Sequence, residues 1–239
     1  MIVGISGLTI ERGIFGFWSR RGNAGAGKDE AAKRLIQEHG FVPLAFADPM
    51  KRIIKEVYAF SDDQLWGPSE MRNQPDQRYP QHMSHGPAIV DVVDGKTVPH
   101  CLTPRFALQT LGEEWGRNCY RNTWAEYALR IAKLIEAGGW DYDQKTGLTR
   151  RDGAPSRNVV ITDLRYKNEA EAVQLGDGYL VRCKRVVPKL KVVPNHKSEV
   201  DLLSVHDDDF NWILNNDGTV QDLWNKVDEM VRVWLARGK

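Results

Sequence analysis

The chain is short of several things, and each shortage excludes a class of protein. No apolar run approaches the ~18 residues of a membrane-spanning helix, so no such span is expected. Cysteine is scarce. Cys101, Cys119 and Cys183 are odd in number and lack metal or redox spacing, so a disulfide framework is excluded and a reduced, cytosolic chain is the simplest reading. Excess charge is also missing: 33 Lys and Arg stand against 32 Asp and Glu, a net charge of +1. That balance offers no general reason to expect a nucleic-acid coat or a membrane-surface protein. The start, Met-Ile-Val-Gly-Ile, has no basic stretch followed by an apolar one, so no secretory signal is expected. Repeats and low-complexity tracts are absent too. What is present is 239 residues, 41% of them hydrophobic, enough for one large domain or two small ones.

The pattern along the chain alternates strand and helix. Ile2 to Ser6 is a β-branched run that reads as a buried strand. Asp29 to His39 places Ala32, Leu35 and Ile36 at helical spacing and stops at Gly40. Val42 to Ala47 reads as a strand. Asp48-Pro49 then reads as a helix start, with Asp48 as cap and Met50, Ile53, Ile54 and Val57 facing inward. Residues 61–104 form a polar insertion with a possible hairpin, Ile89 to Val93 and Lys96 to Val98, turning at Asp94-Gly95. Arg105 to Cys119 and Thr123 to Ala137 read as helices, and Trp140 to Arg157 as a polar loop. Asn158 to Thr162, Tyr179 to Arg182 and Trp212 to Leu214 read as further strands, Tyr166 to Leu175 as a short helix, and 186–205 as a lid-like excursion. Thr219 to Arg237 is amphipathic, and Thr219 and Asp222 have capping-box spacing. The alternation predicts an α/β fold: a mostly parallel sheet covered by helices on both faces.

Gly22 to Lys28 meets the pattern G-x-x-x-x-G-K. Glycines let the backbone curl so that successive N–H groups point at phosphate oxygens. The following helix adds its positive end, and the lysine reaches the outer phosphates. The usual next residue is Ser or Thr, whose hydroxyl holds Mg²⁺; here it is Asp29, whose carboxylate can hold the metal directly or through water. Fifteen residues, Leu8 to Gly22, separate this loop from the strand that should feed it. With them removed, the chain reads MIVGISGNAGAGKDEAA, a strand, loop and helix without a gap. Three readings stay open: a surface excursion that leaves the loop able to close, a replacement first strand at Gly13 to Trp18, or a disabling insertion. Its aromatics would also suit a partner site.

A second cluster lies at NVVITDLRYKNEAEA, where Asp163 ends a core strand and Arg165 and Glu169 follow. A carboxylate there can orient Mg²⁺ or a substrate hydroxyl, or simply cap a helix. Pro104-Arg105 opens a helix and can aim a guanidinium at an anion. Arg182, Lys184 and Arg185 close a strand and enter the 186–205 excursion, where a lid arginine would screen charge during phosphoryl transfer.

These stretches, together with LAFADPMK (Leu44 to Lys51), TPRFALQTLGEEWGR, NHKSEVDL and ILNNDGTVQDLWNKV, occur in an order that resembles the bacteriophage-type deoxynucleoside monophosphate kinases, a branch of the phosphate-loop kinases. The Gly-Lys-Asp ending is usual in that family. The resemblance implies a three-layer P-loop NTPase fold in one domain, residues 1–239, with the 8–22, 61–104 and 186–205 insertions. It implies ATP and Mg²⁺ as cofactors and a deoxynucleoside monophosphate as substrate. It expects neither nucleic acid nor membrane as partner, allows a homodimer, and expects a cytoplasmic location (the host's, if phage-encoded). Gly25, Ala26, Gly27, Lys28, Asp29 and Glu30 would hold the nucleotide, with Asp29 near the metal. Asp48, Lys51, Arg105, Asp163 and Arg165 would bind the acceptor, and Lys28, Asp163, Arg165 and Arg185 would serve catalysis.

Two other small-molecule readings remain: a kinase of the dephospho-coenzyme A type, and a nucleotide-binding protein disabled by the 8–22 segment. A zinc module built from His82, His85, His100 and Cys101 is a weaker alternative, because its spacing is irregular.

Overall fold

The computed structural model describes residues 1–12, 18–20, 25–80, 90–93, 96–187 and 201–237. The chain divides into two compact units, Met1–Phe46 with Trp124–Lys239, and Ala47–Thr123.

The first unit is built on a parallel sheet. Strand β1 (Ile2–Arg12) pairs in parallel with β8 (Val159–Ile161) on one side and β9 (Tyr179–Val187) on the other. β3 (Val42–Leu44) extends the sheet beyond β8, and β10 (Trp212–Asn215) extends it beyond β9, giving the order β10-β9-β1-β8-β3. Both faces are apolar because helices cover both. On one face, Val3, Ile5, Val160, Val181, Cys183 and Leu214 pack with Ala31, Ala32 and Leu35 of α1 (Lys28–His39). Leu223, Val227, Met230 and Trp234 of the C-terminal helix (Val220–Arg237) join the same core. On the other face, a Cβ on Gly4 would touch Val173 of α6 (Lys167–Leu175) and Leu164. Against α6 lies Leu129 of α5 (Thr123–Ala137), in contact with the space a Gly176 side chain would take. This is the α/β architecture expected from the sequence.

Several boundaries differ from the sequence reading. β1 does not end at Ser6. It runs through Gly7, which sits opposite Cys183 in mid-strand, and on to Arg12. β2 (Trp18–Arg20) then returns antiparallel, with Arg12 opposite Trp18. Of the proposed replacement strand, Gly13 to Phe17 lie outside the described residues; the central place between β8 and β9 is held by β1 from Ile2 onward. The early part of the 8–22 segment lengthens that strand, and Leu8 and Thr9 are buried in it. Likewise β9 continues to Val187, past the expected start of the excursion, because it has the lengthened β1 to pair with; residues 188–200 lie outside the described ones. Trp140 to Arg157 is not all loop. β6 (Trp140–Asp143) and β7 (Gly147–Arg150) form a hairpin whose turn is closed by Asp143 Oδ1, which accepts from the Lys145 and Thr146 amides at 2.9 Å.

The second unit holds α2 (Asp48–Tyr58), α3 (Asp62–Trp66), the hairpin β4 (Val90–Val93) and β5 (Lys96–Pro99), and α4 (Pro104–Thr110). The expected hairpin is present, although Asp94 and Gly95 lie outside the described residues. The helix expected to reach Cys119 changes to π-helical geometry over Leu111–Arg117. Ile54, Phe60, Leu65, Leu102 and Ala107 form this unit's own core.

Candidate functional site

In a parallel sheet the loops that carry chemistry gather at the carboxyl ends of the strands. In the first unit, the phosphate-loop residues, Asp163, Arg165 and Arg185 all belong to that edge.

Gly25 and Gly27 both adopt left-handed backbone, with φ of 74° and 97°. A side chain on Gly25 would meet nothing within 4 Å, so that position demands glycine for its conformation alone. Gly27 is the N-cap of α1 and, being glycine, offers no side-chain cap of its own. A helix start of this kind is suited to an anion. Ala26 is fully buried beneath the loop. Lys28 opens the helix with its side chain 11% exposed, and its Nζ lies 2.6 Å from Asp29 Oδ1, whose carboxylate is 82% exposed. Glu30 completes the first turn. Gly22, Asn23 and Ala24 lie outside the described residues.

Behind the loop stands Cys183 on β9. Burial pushes its thiol up to about 12, against the pull of nearby Lys28, so it remains a neutral core group. Side chains alternate along a strand. Arg185, two residues beyond Cys183, therefore lies on the α1 side of the sheet, exposed and opposite Thr9. It belongs to the strand rather than to the excursion after it.

Asp163 follows β8, half-buried, and its Oδ1 accepts from the Phe46 amide at 2.8 Å. The carboxylate thus ties together the ends of two neighbouring strands. The Arg165 and Tyr166 amides both donate to Glu169 Oε2, at 2.9 and 3.0 Å. Buried Glu169 shapes the turn that carries Arg165.

The remaining expected residues belong to the second unit. Asp48 is not the helix cap. Ala47 holds that position, and Asp48 is a buried residue of the first helical turn followed by Pro49. Lys51 Nζ lies 5.6 Å over the Trp66 ring, and Lys55 Nζ 5.8 Å over the same ring. Arg105 donates through Nε to Asn73 and through Nη2 to Ser69 Oγ at 2.9 Å. Thr103 caps that helix by accepting from the Phe106 amide at 3.1 Å. Lys51 and Arg105 are thus both held against the segment from Trp66 to Asn73. Neutral partners hold Arg105, leaving its charge uncompensated by either.

Of the residues in the zinc alternative, His82 and His85 lie outside the described ones. His100 Nδ1 stands 2.9 Å from Asp91 Oδ2. Among the described residues no three His, Cys, Asp or Glu side chains are grouped to hold a metal. Nor is any described helix long and apolar enough to cross a membrane.

Two residues of this edge have roles that sequence reasoning missed. Arg182 is 1% exposed, stacks 3.9 Å over Phe210, and binds Asp207 and the Val205 and Leu202 carbonyls. It anchors the chain that returns after residue 200. Asn216, just after β10, donates to the Ala26 carbonyl at 3.1 Å. The sequence marked Arg182 as a basic residue closing its strand but not as an anchor, and only its place after a strand hinted at Asn216. A cavity of about 170 Å³, lined by Ile10, Lys184, Val186, Asn215 and Asp217, opens beside these strand ends. Ile10 brings the 8–22 segment into its wall.

No protein-family profile matches the chain. A protein of Acanthamoeba polyphaga mimivirus named "Putative deoxynucleotide monophosphate kinase" is 29% identical over 209 residues, covering 86% of this chain and 91% of that protein. The resemblance drawn from the motifs is borne out by this relative.

Proposed function

We propose that the protein transfers the γ-phosphoryl group of ATP to a deoxynucleoside 5′-monophosphate, giving ADP and the diphosphate. One observation carries this reading: two left-handed glycines lead directly into α1, whose N-cap is glycine and whose first residue is Lys28. The similarity to the mimivirus protein supports the choice of acceptor.

The reaction needs no protein nucleophile, because an acceptor phosphate oxygen attacks the γ-phosphorus and ADP leaves. The chain's task is to position and to neutralise charge. The α1 amides and Lys28 take the donor phosphates, and Lys28 exchanges its contact with Asp29 for them. Arg185, on the same side of the sheet, screens the charge of the group in flight. Asp163 and Arg165 serve between donor and acceptor, and Lys51, Arg105 and the buried Asp48 serve the acceptor. Mg²⁺, bound through exposed Asp29 and the phosphates themselves, would neutralise phosphate charge. One carboxylate with substrate oxygens is a usual Mg²⁺ arrangement, so no all-protein cage is needed.

The test is ADP formation from ATP and Mg²⁺ with each deoxynucleoside monophosphate in turn. Turnover with at least one acceptor is expected, falling by about 10³ or more in Lys28→Ala. No acceptor-dependent ADP with any of them would contradict the reading. A second reading, nucleotide binding without transfer, draws on β1 running straight past Gly7 instead of turning into the loop. ATP binding without turnover would favour it.

A further inference from the structure

Glycine permits the curl of the phosphate loop but does not enforce it. At φ of 97°, the Ala26–Gly27 peptide plane has no side chain of its own to hold it. The hold comes from the end of β10, the strand at the edge of the sheet. The Asn216 amide donates to the Lys184 carbonyl at 2.7 Å, which fastens its backbone to β9. Its side-chain Nδ2 donates to the Ala26 carbonyl at 3.1 Å. The same Nδ2 stands 2.3 Å from where a Gly27 Cβ would be, and Leu223 closes the other side at 3.2 Å. The Asn216 amide thus fills the space left by the missing side chain. A trans peptide is planar, so its C=O and N–H point in opposite directions. Turning the Ala26 carbonyl toward Asn216 aims the Gly27 N–H away from it.

We infer that Asn216 is a positioning residue for the nucleotide phosphates: it sets the Ala26–Gly27 peptide in its anion-binding orientation before the nucleotide arrives. This rests on the phosphate-binding reading of the loop. Such preorganisation spares the ligand the cost of ordering the backbone. The asparagine amide suits the task because it donates to a carbonyl without placing negative charge near phosphate, which ionised aspartate cannot do.

The experiment is calorimetric titration of the whole chain with MgATP and, separately, with inorganic tripolyphosphate. Asn216→Ala and Asn216→Asp are compared with wild type and with Val227→Ala, a core variant of the C-terminal helix one turn beyond Leu223. Asn216→Ala should weaken MgATP about tenfold, the scale of one lost hydrogen bond, and Asn216→Asp should weaken it further. Tripolyphosphate should weaken by the same factor, because the effect lies on the phosphates. Val227→Ala should lower the melting temperature and leave both affinities within about twofold. Unchanged affinities in Asn216→Ala would overturn the inference. So would a loss for MgATP without a loss for tripolyphosphate, which would mark a base contact instead. Wild type that binds MgATP but not tripolyphosphate counts against it equally. Wild type that binds neither overturns the phosphate-site reading and this inference with it.

Discussion

Gly27→Ala places one methyl group against Asn216 at the start of α1. Two costs follow from the geometry. At φ of 97° an L-residue is strained, by about 1–2 kcal/mol. The new Cβ would also stand 2.3 Å from Asn216 Nδ2, so that amide must withdraw and give up its bond to Ala26, worth about 1 kcal/mol. Together about 2–3 kcal/mol is lost from the binding-ready loop, which corresponds to a fall of about 30- to 150-fold in MgATP affinity. Gly25→Ala is the internal control. Its φ is 74° and a Cβ there meets nothing within 4 Å, so only strain applies and the fall should be about 5- to 30-fold, short of the Gly27→Ala loss. Calorimetric titration measures both, with thermal unfolding run in parallel. Equal losses in the two variants, or a Gly27→Ala affinity within threefold of wild type, would refute the role given to the Asn216 contact.

Three further outcomes are expected. Given the role proposed for Arg185 on the group in transfer, Arg185→Ala should lower kcat by about 10²–10³ with little change in MgATP affinity; steady-state kinetics would show it. Arg182→Met should cost about 2–4 kcal/mol of stability, because it strands two buried carbonyls and Asp207, and denaturant unfolding would measure the loss. Asp228 accepts from Arg34 and lies 2.8 Å from His39 Nε2, and these partners, the guanidinium first, hold its carboxyl down at about 2. A depressed carboxyl stabilises the fold above the ordinary range near ~3.9 and loses that contribution as pH falls toward 2. Asp228→Asn should therefore cost about 1 kcal/mol at pH 7, after screening by the solvent that reaches this site, and the difference should vanish near pH 2.

The parallel core was legible because its strands are short β-branched runs. Ile2 to Ser6 and Val159 to Ile161 are buried on both faces and carry no polar alternation to confuse them. The C-terminal helix start was legible as well: Thr219 and Asp222 bond reciprocally, with aspartate in the place usually taken by glutamate. The β6–β7 hairpin was not, because Trp-Asp-Tyr-Asp offers polar residues to solvent on a small exposed ribbon. β9 looked finished at Arg182 because basic residues follow. Their strand geometry depends on pairing with the lengthened β1, which local pattern does not reveal. Asp48 was placed one residue early, since Asp-Pro suits both the cap and the first turn. In the candidate site, the left-handed turn at Gly25 and Gly27 was legible because only glycine adopts that backbone freely. Asn216 and Arg182 were not, because each acts on residues far away in sequence and close only after folding.

The central claim is transfer, as distinct from binding or hydrolysis, and a single-turnover experiment addresses it directly. ATP labelled at its γ-phosphate is mixed with excess enzyme, Mg²⁺ and the best acceptor from the monophosphate panel, and the label is followed by chromatography. Label is expected in the deoxynucleoside diphosphate, with one ADP formed for each. Label remaining in ATP, or appearing only as inorganic phosphate, would contradict the claim.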